Sequence, residues 1–339
     1  MIANFENQSE LFPPKSFSPI ETFAGKRILV AGGTGLIGRP LVNLLDSVGA
    51  DVTVAGVEPH ETTKDYFSKR VRYLQADFTD QVASREACED KEFVFNLVGI
   101  KGSVGVGESR AASVLMPMLR FQTNLAEASW QAGVLGYLFV SSINIYPPSS
   151  LHKEENAWVG APTQSDRFTA IGKRMGEVLG LAFQQEHGWD AYKVVRPANV
   201  YGPYDIVDPI RSQVIPALIR KFLAGEEVVK VWGSGSTVRD FVYSEDVAYW
   251  IAKAMLDLPP NFPVNIGGGG GVSIANLANE IASATGFSGE IVFDTNRPTG
   301  DAVRLLDTSR AEKYLGFETR TTLEQGIRRT VEWMRGVLQ

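Results

Sequence analysis

From Lys26 to Pro203, short runs of β-branched and apolar residues alternate with longer stretches whose apolar positions recur every three or four residues. "KRILVAGG" is of the first kind and ends in glycines, which predicts a buried strand. "RPLVNLLDSVGA" has helical spacing and stops at Gly49. Further strands are predicted in "DVTVAG", "VRYLQADF", "EFVFNLVG", "YLFVSS" and "AYKVVRPANVYGP", the last as one strand with its exit loop. Long helices are predicted in "SVLMPMLRFQTNLAEASWQAG", despite Pro117, and in "RFTAIGKRMGEVLGLAFQQEHG". Strand and helix alternating in this way predict an α/β, Rossmann-type doubly wound parallel sheet, covered on both faces.

After Gly202 the pattern loosens into a smaller mixed α/β region. Helices are predicted in "SQVIPALIRKFLAG", "SEDVAYWIAKAMLD", "SIANLANEIASATG" and "TTLEQGIRRTVEWMRG", with a short strand in "VVKVWGSG". The expected organisation is an N-terminal arm (1–25) and a dinucleotide-binding domain (26–202, with 241–267 returning to it). A ligand-binding domain (203–240 and 268–339) would lie over the C-terminal edge of the sheet, where open parallel sheets bind ligands.

Composition narrows the function classes. A net charge of −6 argues against nucleic acid or an anionic membrane as the main partner. One cysteine, Cys88, excludes an intrachain disulfide framework. The three histidines, His60, His152 and His187, have no metal-ligand spacing, so no metal site is expected. No stretch approaches the ~18 apolar residues of a membrane span, and no secretory pattern opens the chain. A cytoplasmic protein is the expectation.

"VAGGTGLIG" places Gly32, Gly35 and Gly38 between a strand and a helix, the context a dinucleotide loop requires. Gly32 permits the turn, Gly35 lets backbone approach a pyrophosphate, and Gly38 allows tight strand–helix packing. Thr34, Leu36 and Ile37 complete the loop. The end of the second strand, where an acid would hold the ribose hydroxyls of NAD, carries Gly56, with Glu58 two residues on. Arg39 is either a partner for a 2′-phosphate or a solvated helix residue, so NAD and NADP both stay open. In "ADFTD", Asp77 would accept from an adenine amino group with Phe78 against the ring; the alternative is a turn and helix cap.

"GGTGLIG", "ADFTD", "FVSSINIYP", "GKRMGE", "RPANVYGP", "VWGSGSTVRDFVYSEDVA" and "RPTGDAVRLLDTSRAEKYLGF" occur in this order. Over about 26–335 the chain resembles the extended short-chain dehydrogenase/reductases, the nucleotide-sugar epimerases, dehydratases and reductases. Within them it is most similar to the GDP-L-fucose synthase branch. The resemblance implies NAD or NADP, a nucleotide-diphosphate sugar, with a GDP-linked hexose preferred, and a homodimer built on the two long helices. It assigns catalytic positions to Ser142, Thr169 and Lys173, with Lys173 and Pro197 also beside the cofactor. Asn144, Asn199, Gln213, Trp232, Arg239 and Arg297 fall on sugar-nucleotide positions.

Thr169 is the departure. The family has a tyrosine there, whose phenol is tuned by the lysine one helical turn on and moves the proton of the sugar hydroxyl. A threonine hydroxyl is too weak an acid and too short for that task. Three origins fit: an engineered silencing of an enzyme, a natural enzyme with another proton route (a water held by Thr169 and Ser142, or Tyr204), or a dinucleotide-binding scaffold without turnover. Asn144 and Gln213 replace the branch's cysteine and histidine and cannot abstract protons from sugar carbons. Hydride chemistry with one hydroxyl proton, as in 4-keto reduction or 4-epimerisation, remains.

Overall fold

The computed structural model describes residues 16–100, 110–209, 211–296 and 301–338. Its main sheet has seven parallel strands. They are β1 (Arg27–Ala31), β2 (Asp51–Gly56), β3 (Arg72–Gln75), β4 (Phe93–Asn96), β5 (Gly136–Val140), β7 (Tyr192–Pro197) and β11 (Val264–Ile266). β6 (Leu151–His152) belongs to a second sheet. The order in the main sheet is β11-β7-β5-β4-β1-β2-β3. Order reverses at β1, so its C-terminal end opens beside that of β4, the place where such sheets take ligands.

Alternate residues of the strands feed two cores. Ile28 and Val30 pack with Leu41 and Leu45 of α1 (Gly38–Ser47) and with Val247 and Ile251 of α7 (Ser244–Asp257). Leu29 and Ala31 pack on the opposite face with Met118, Phe121 and Leu125 of α4 (Ala111–Gln131). α4 lies against α5 (Arg167–His187) on that face; between α1 and α4 come α2 (His60–Thr63) and α3 (Gln81–Cys88). The last residues of the N-terminal arm join the first core: Ile20 and Phe23 are buried, and Phe23 meets Phe93 edge-on.

The run "AYKVVRPANVYGP" is two strands rather than one. β7 ends at Pro197, Ala198 N–H donates to Ile266 C=O, and β8 (Asn199–Tyr201) enters the second sheet. There it pairs with β10 (Val238–Tyr243), which also pairs β12 (Gly271–Ser273) and β14 (Val303–Leu306). Proline has no N–H for a ladder, so the strand leaves the main sheet at that residue. β9 (Val228–Trp232) and β13 (Glu290–Asp294) form a separate parallel pair. A third core joins them to α6 (Val214–Leu223), α8 (Ile274–Thr285) and α10 (Leu323–Leu338); α9 is Ser309–Leu315. No helix among the described residues is long and apolar enough to cross a membrane.

Candidate active site

A cleft of about 1090 Å³ runs along the C-terminal ends of β1, β4, β5 and β7 and under the segment after β8. Gly32, Thr34, Gly35, Leu36, Ile37 and Gly38 line one end, and Asp77 and Phe78 lie with them. Ser142, Asn144, Thr169, Lys173, Pro197, Asn199 and Gln213 line the rest. Folding therefore gathers residues from six separate stretches of sequence into one groove.

The glycine loop fits a dinucleotide on geometric grounds. Gly32 has φ +77°, which glycine adopts at little cost. A Cβ on Gly35 would meet no atom closer than the Gly32 carbonyl oxygen at 3.6 Å, so its outer side is open cleft. A Cβ on Gly38 would lie 2.5 Å from Gly33 Cα, so the helix sits too close for any side chain. The N-terminus of α1 then faces the groove, with the N–H groups and dipole that favour phosphate.

Asp77 makes a local turn, its carboxylate accepting from Thr79 N–H at 2.9 Å. The helix cap is Asp80, which accepts from Val82 N–H. Phe78 is 97% buried in the second core. Arg39 is neither free in solvent nor on the cleft wall. Its guanidinium lies between the rings of Tyr66 and Tyr204, 3.3 and 4.5 Å from their centroids. Its Nε donates to the Thr34 carbonyl.

Lys173 is positioned by close helix packing. A Cβ on Gly176 would lie 2.4 Å from Phe139, so only glycine lets α5 approach β5 this closely. Lys173 Nζ then donates to Val140 C=O at 2.7 Å and Val98 C=O at 3.4 Å. Burial pulls its ammonium down to about 8, with Glu177 pulling the other way. Glu177, one turn on, is held at two points by Arg196, which is fully buried on β7. Arg196 also donates to Tyr146 Oη and to Glu154 C=O. This network ties the lysine helix to the strand that ends at Pro197.

Ser142 stands at the end of β5, its Oγ accepting from Asn144 N–H at 3.1 Å. Thr169 faces the same cleft, but its Oγ1 donates to Asp166 C=O at 2.8 Å. The Asp166 carboxylate pairs with Arg304 at 3.1 Å, and Arg304 also donates to Ile143 C=O. Two tyrosines line the cleft. Tyr201 Oη donates to Leu323 C=O, and the Tyr204 ring lies on Arg39.

The sugar-nucleotide residues divide. Asn144, Asn199 and Gln213 line the cleft; Asn199 Nδ2 donates to Asp240 C=O at 2.8 Å. Trp232 does not line it: it is 62% exposed at the end of β9. Arg239 does not line it either, since β10 directs its guanidinium to the carbonyls of Val238 and Asp301. Arg297 lies outside the described residues. Sequence reasoning missed Arg120, Asp166 and Arg211, all on the cleft wall, and gave Glu58 no place although it lines the wall too. Among the described residues no group of His, Cys, Asp and Glu could hold a metal ion.

Residues 28–267 match the model of the NAD dependent epimerase/dehydratase family. The chain belongs to this family. Like this chain, a GDP-L-fucose synthase of Sinorhizobium fredii spans most of the sequence: 31% identity over 93% of this chain and 97% of the relative. A dTDP-4-dehydro-6-deoxy-D-allose reductase of Streptomyces bikiniensis is 29% identical over 93% and 98%. Among solved structures, a UDP-glucose 4-epimerase of Thermotoga maritima with UDP-glucose superposes with TM-score 0.80. It is 28% identical, over 92% of this chain and all of that one. A GDP-L-fucose synthetase of Naegleria fowleri bound to NADP, at 22% identity and TM-score 0.76, shares the fold over 96% of this chain and 97% of that one. The epimerase/dehydratase members thus include proteins named for epimerisation and for reduction, and membership itself fixes neither.

Proposed function

We propose that this epimerase/dehydratase family member moves a hydride between a nicotinamide dinucleotide and one carbinol carbon of a nucleotide-linked hexose, GDP-linked in first preference. The observation that carries this is the single cleft in which the glycine loop, Ser142, Lys173 and Pro197 meet Asn144, Asn199 and Gln213. The relatives named for GDP- and dTDP-sugars, and the epimerase bound to UDP-glucose, support the substrate class.

The glycine loop and the α1 N-terminus would hold the pyrophosphate. Lys173 and Pro197 would flank the nicotinamide half. When bound, the nicotinamide supplies or accepts the hydride. Ser142 would hold the oxygen of the reacting carbon. Because the Thr169 hydroxyl is turned to Asp166, the proton of that oxygen passes through Ser142 to water. Asn144 and Gln213 carry amides, which cannot abstract a proton from a ring carbon. The activity is therefore oxidoreduction at one position, as a 4-keto reductase or 4-epimerase, rather than epimerisation next to a ketone. Arg120 and Arg211 are cations on the cleft wall suited to the sugar diphosphate.

A second reading, binding without turnover, is favoured by the hydroxyls of Thr169 and Tyr201, which both donate to backbone carbonyls. Mass spectrometry of small molecules released on denaturing the purified protein tests the binding function common to both. A nicotinamide dinucleotide or nucleotide sugar in near-stoichiometric amount is expected. If the protein carries neither and binds neither when they are added, both readings fall.

We also propose that two copies pair through α4 and α5. Met118 and Leu125 are committed to the chain's own core. Met116 is 49% and Met175 39% exposed, and Leu115 next to Met116 is half-buried, whereas Leu179 and Phe183 pack against the second core.

A further inference from the structure

The segment that leaves β8 crosses to the start of α1, and Tyr204 is where it lands. The Tyr204 ring meets Trp333 of α10 edge-on, with centroids 5.6 Å apart. It also lies against the Arg39 guanidinium, 4.5 Å from the ring centroid. Arg39 is the second residue of α1, and Tyr66 covers it too, at 3.3 Å. Its Nε donates to Thr34 C=O at 3.0 Å, inside the glycine loop. One run of contacts thus joins α10, in the third core, to the glycine loop of the main sheet.

Tyr204 is held there against its own backbone preference. Its φ is +70°. Among the described residues, the other non-glycine residues with positive φ are Asp90 and Asn261, whose short polar side chains tolerate that region. A bulky ring does not, so the conformation persists only because its surroundings fix the ring. Tyr204, Asp205 and Ile206 line the cleft together with Thr34 and Gly35. Once the ring leaves Arg39, residue 204 can return to an ordinary backbone and carry its neighbours off the cleft. The turn therefore has two arrangements, a strained one across the glycine-loop end and a relaxed one that opens it.

We infer that Arg39 and Tyr204 form a clasp over the dinucleotide end of the cleft, whose parting sets how fast a dinucleotide enters and leaves. This rests on the dinucleotide-binding function proposed above. Tyr204 is then a positioning residue, supplied by the segment that also carries Arg211 and Gln213 to the cleft wall. The contact suits repeated opening. When Tyr204 lifts away, Tyr66 still covers the guanidinium and Thr34 C=O still accepts from its Nε, so no cation is left stranded. Loops closed in this way gate ligand exchange rather than the chemical step.

Stopped-flow fluorescence of the full chain with NADH and with NADPH tests it, release being followed by a chase with excess oxidised dinucleotide. Tyr204→Ala should speed release about tenfold, the effect of one shielded cation–ring contact. Entry should speed up as well, because a strap slows both directions, so Kd should move by less than either rate. Trp333 lies off the cleft wall. Trp333→Leu removes the support behind the ring and should act in the same direction. Tyr204→Phe keeps the ring and should release at the wild-type rate. A circular dichroism melt within a few degrees of wild type shows that each variant is folded. Release unchanged in both Tyr204→Ala and Trp333→Leu would overturn the inference alone. So would faster release with entry unchanged, since the ring would then be an ordinary ligand contact. A fast Tyr204→Phe variant would assign the effect to the hydroxyl and overturn it too. Failure of both reduced dinucleotides to bind the wild type would remove the proposed function together with it.

Discussion

The hydroxyl of Thr169 donates to the carbonyl oxygen of Asp166 at 2.8 Å, within its own helix turn. Such back-bonding is a common resting state for a threonine near a helix start. Here it turns away from the cleft the hydroxyl at the position that the resemblance assigns to the family's tyrosine. Lys173 lies one turn on and is bonded to Val140 and Val98, so the partner of the absent phenol is kept in place.

Gly35 and Gly38 should respond to substitution in opposite ways. Gly35→Asp puts a charged side chain into open cleft, so dinucleotide binding should vanish while the thermal midpoint barely moves. Gly38→Ala drives a methyl against Gly33 and Gly32 and should cost about 1–3 kcal/mol, the range for overpacking. Calorimetry and a thermal melt on each variant separate the two effects. A Gly35→Asp protein that still binds dinucleotide would mean the loop is not the phosphate site.

His152 predicts a pH dependence of stability. It is buried, stacked on Tyr146, and its Nε2 has no protein partner among the described residues. Burial, and then Arg304, pull its imidazole down from the usual 6.5 to about 4. The folded state therefore binds fewer protons than the unfolded state between these values. Its contribution is fully present above pH 6.5 and is lost as pH falls through 4. His152→Phe keeps the stacked ring and should flatten the urea-midpoint curve over that window. A variant with the wild-type slope would place the acid sensitivity elsewhere.

The outer face of the α4–α5 pair predicts assembly. Met116→Glu with Met175→Glu should leave a monomer by light scattering at micromolar concentration, where the wild type has twice the mass. Wild-type monomers would remove the proposed pairing.

Much of this was legible in the sequence because it depends on local spacing. The glycines mark a strand–turn–helix, which the structure has at Arg27–Ala31 and Gly38–Ser47. The seat of the Glu58 carboxylate over Gly56 was not legible. The carboxylate reaches the end of β2 only by folding back, which depends on Thr34 and Tyr73 from two other elements. Trp232 and Arg239 were assigned by motif, yet strand placement decides their direction. Among the described residues β9 pairs only with β13, and Arg239 lies in register with Arg304 and turns to Asp301. The split of β7 from β8 was likewise hidden, because an apolar run does not say which sheet each half joins.

The central claim is that this cleft is an oxidoreductase site with every part but the phenol. Thr169→Tyr tests it most directly, followed by nicotinamide absorbance and by chromatography of GDP-, UDP- and dTDP-hexoses and their 4-keto forms. The account predicts a turnover gain of about 10²–10⁴-fold over the threonine form, the share of a positioned acid–base. Lys173→Ala in the same background should remove that gain. A tyrosine variant that binds dinucleotide yet stays inert with every sugar would contradict the claim and leave a binding protein.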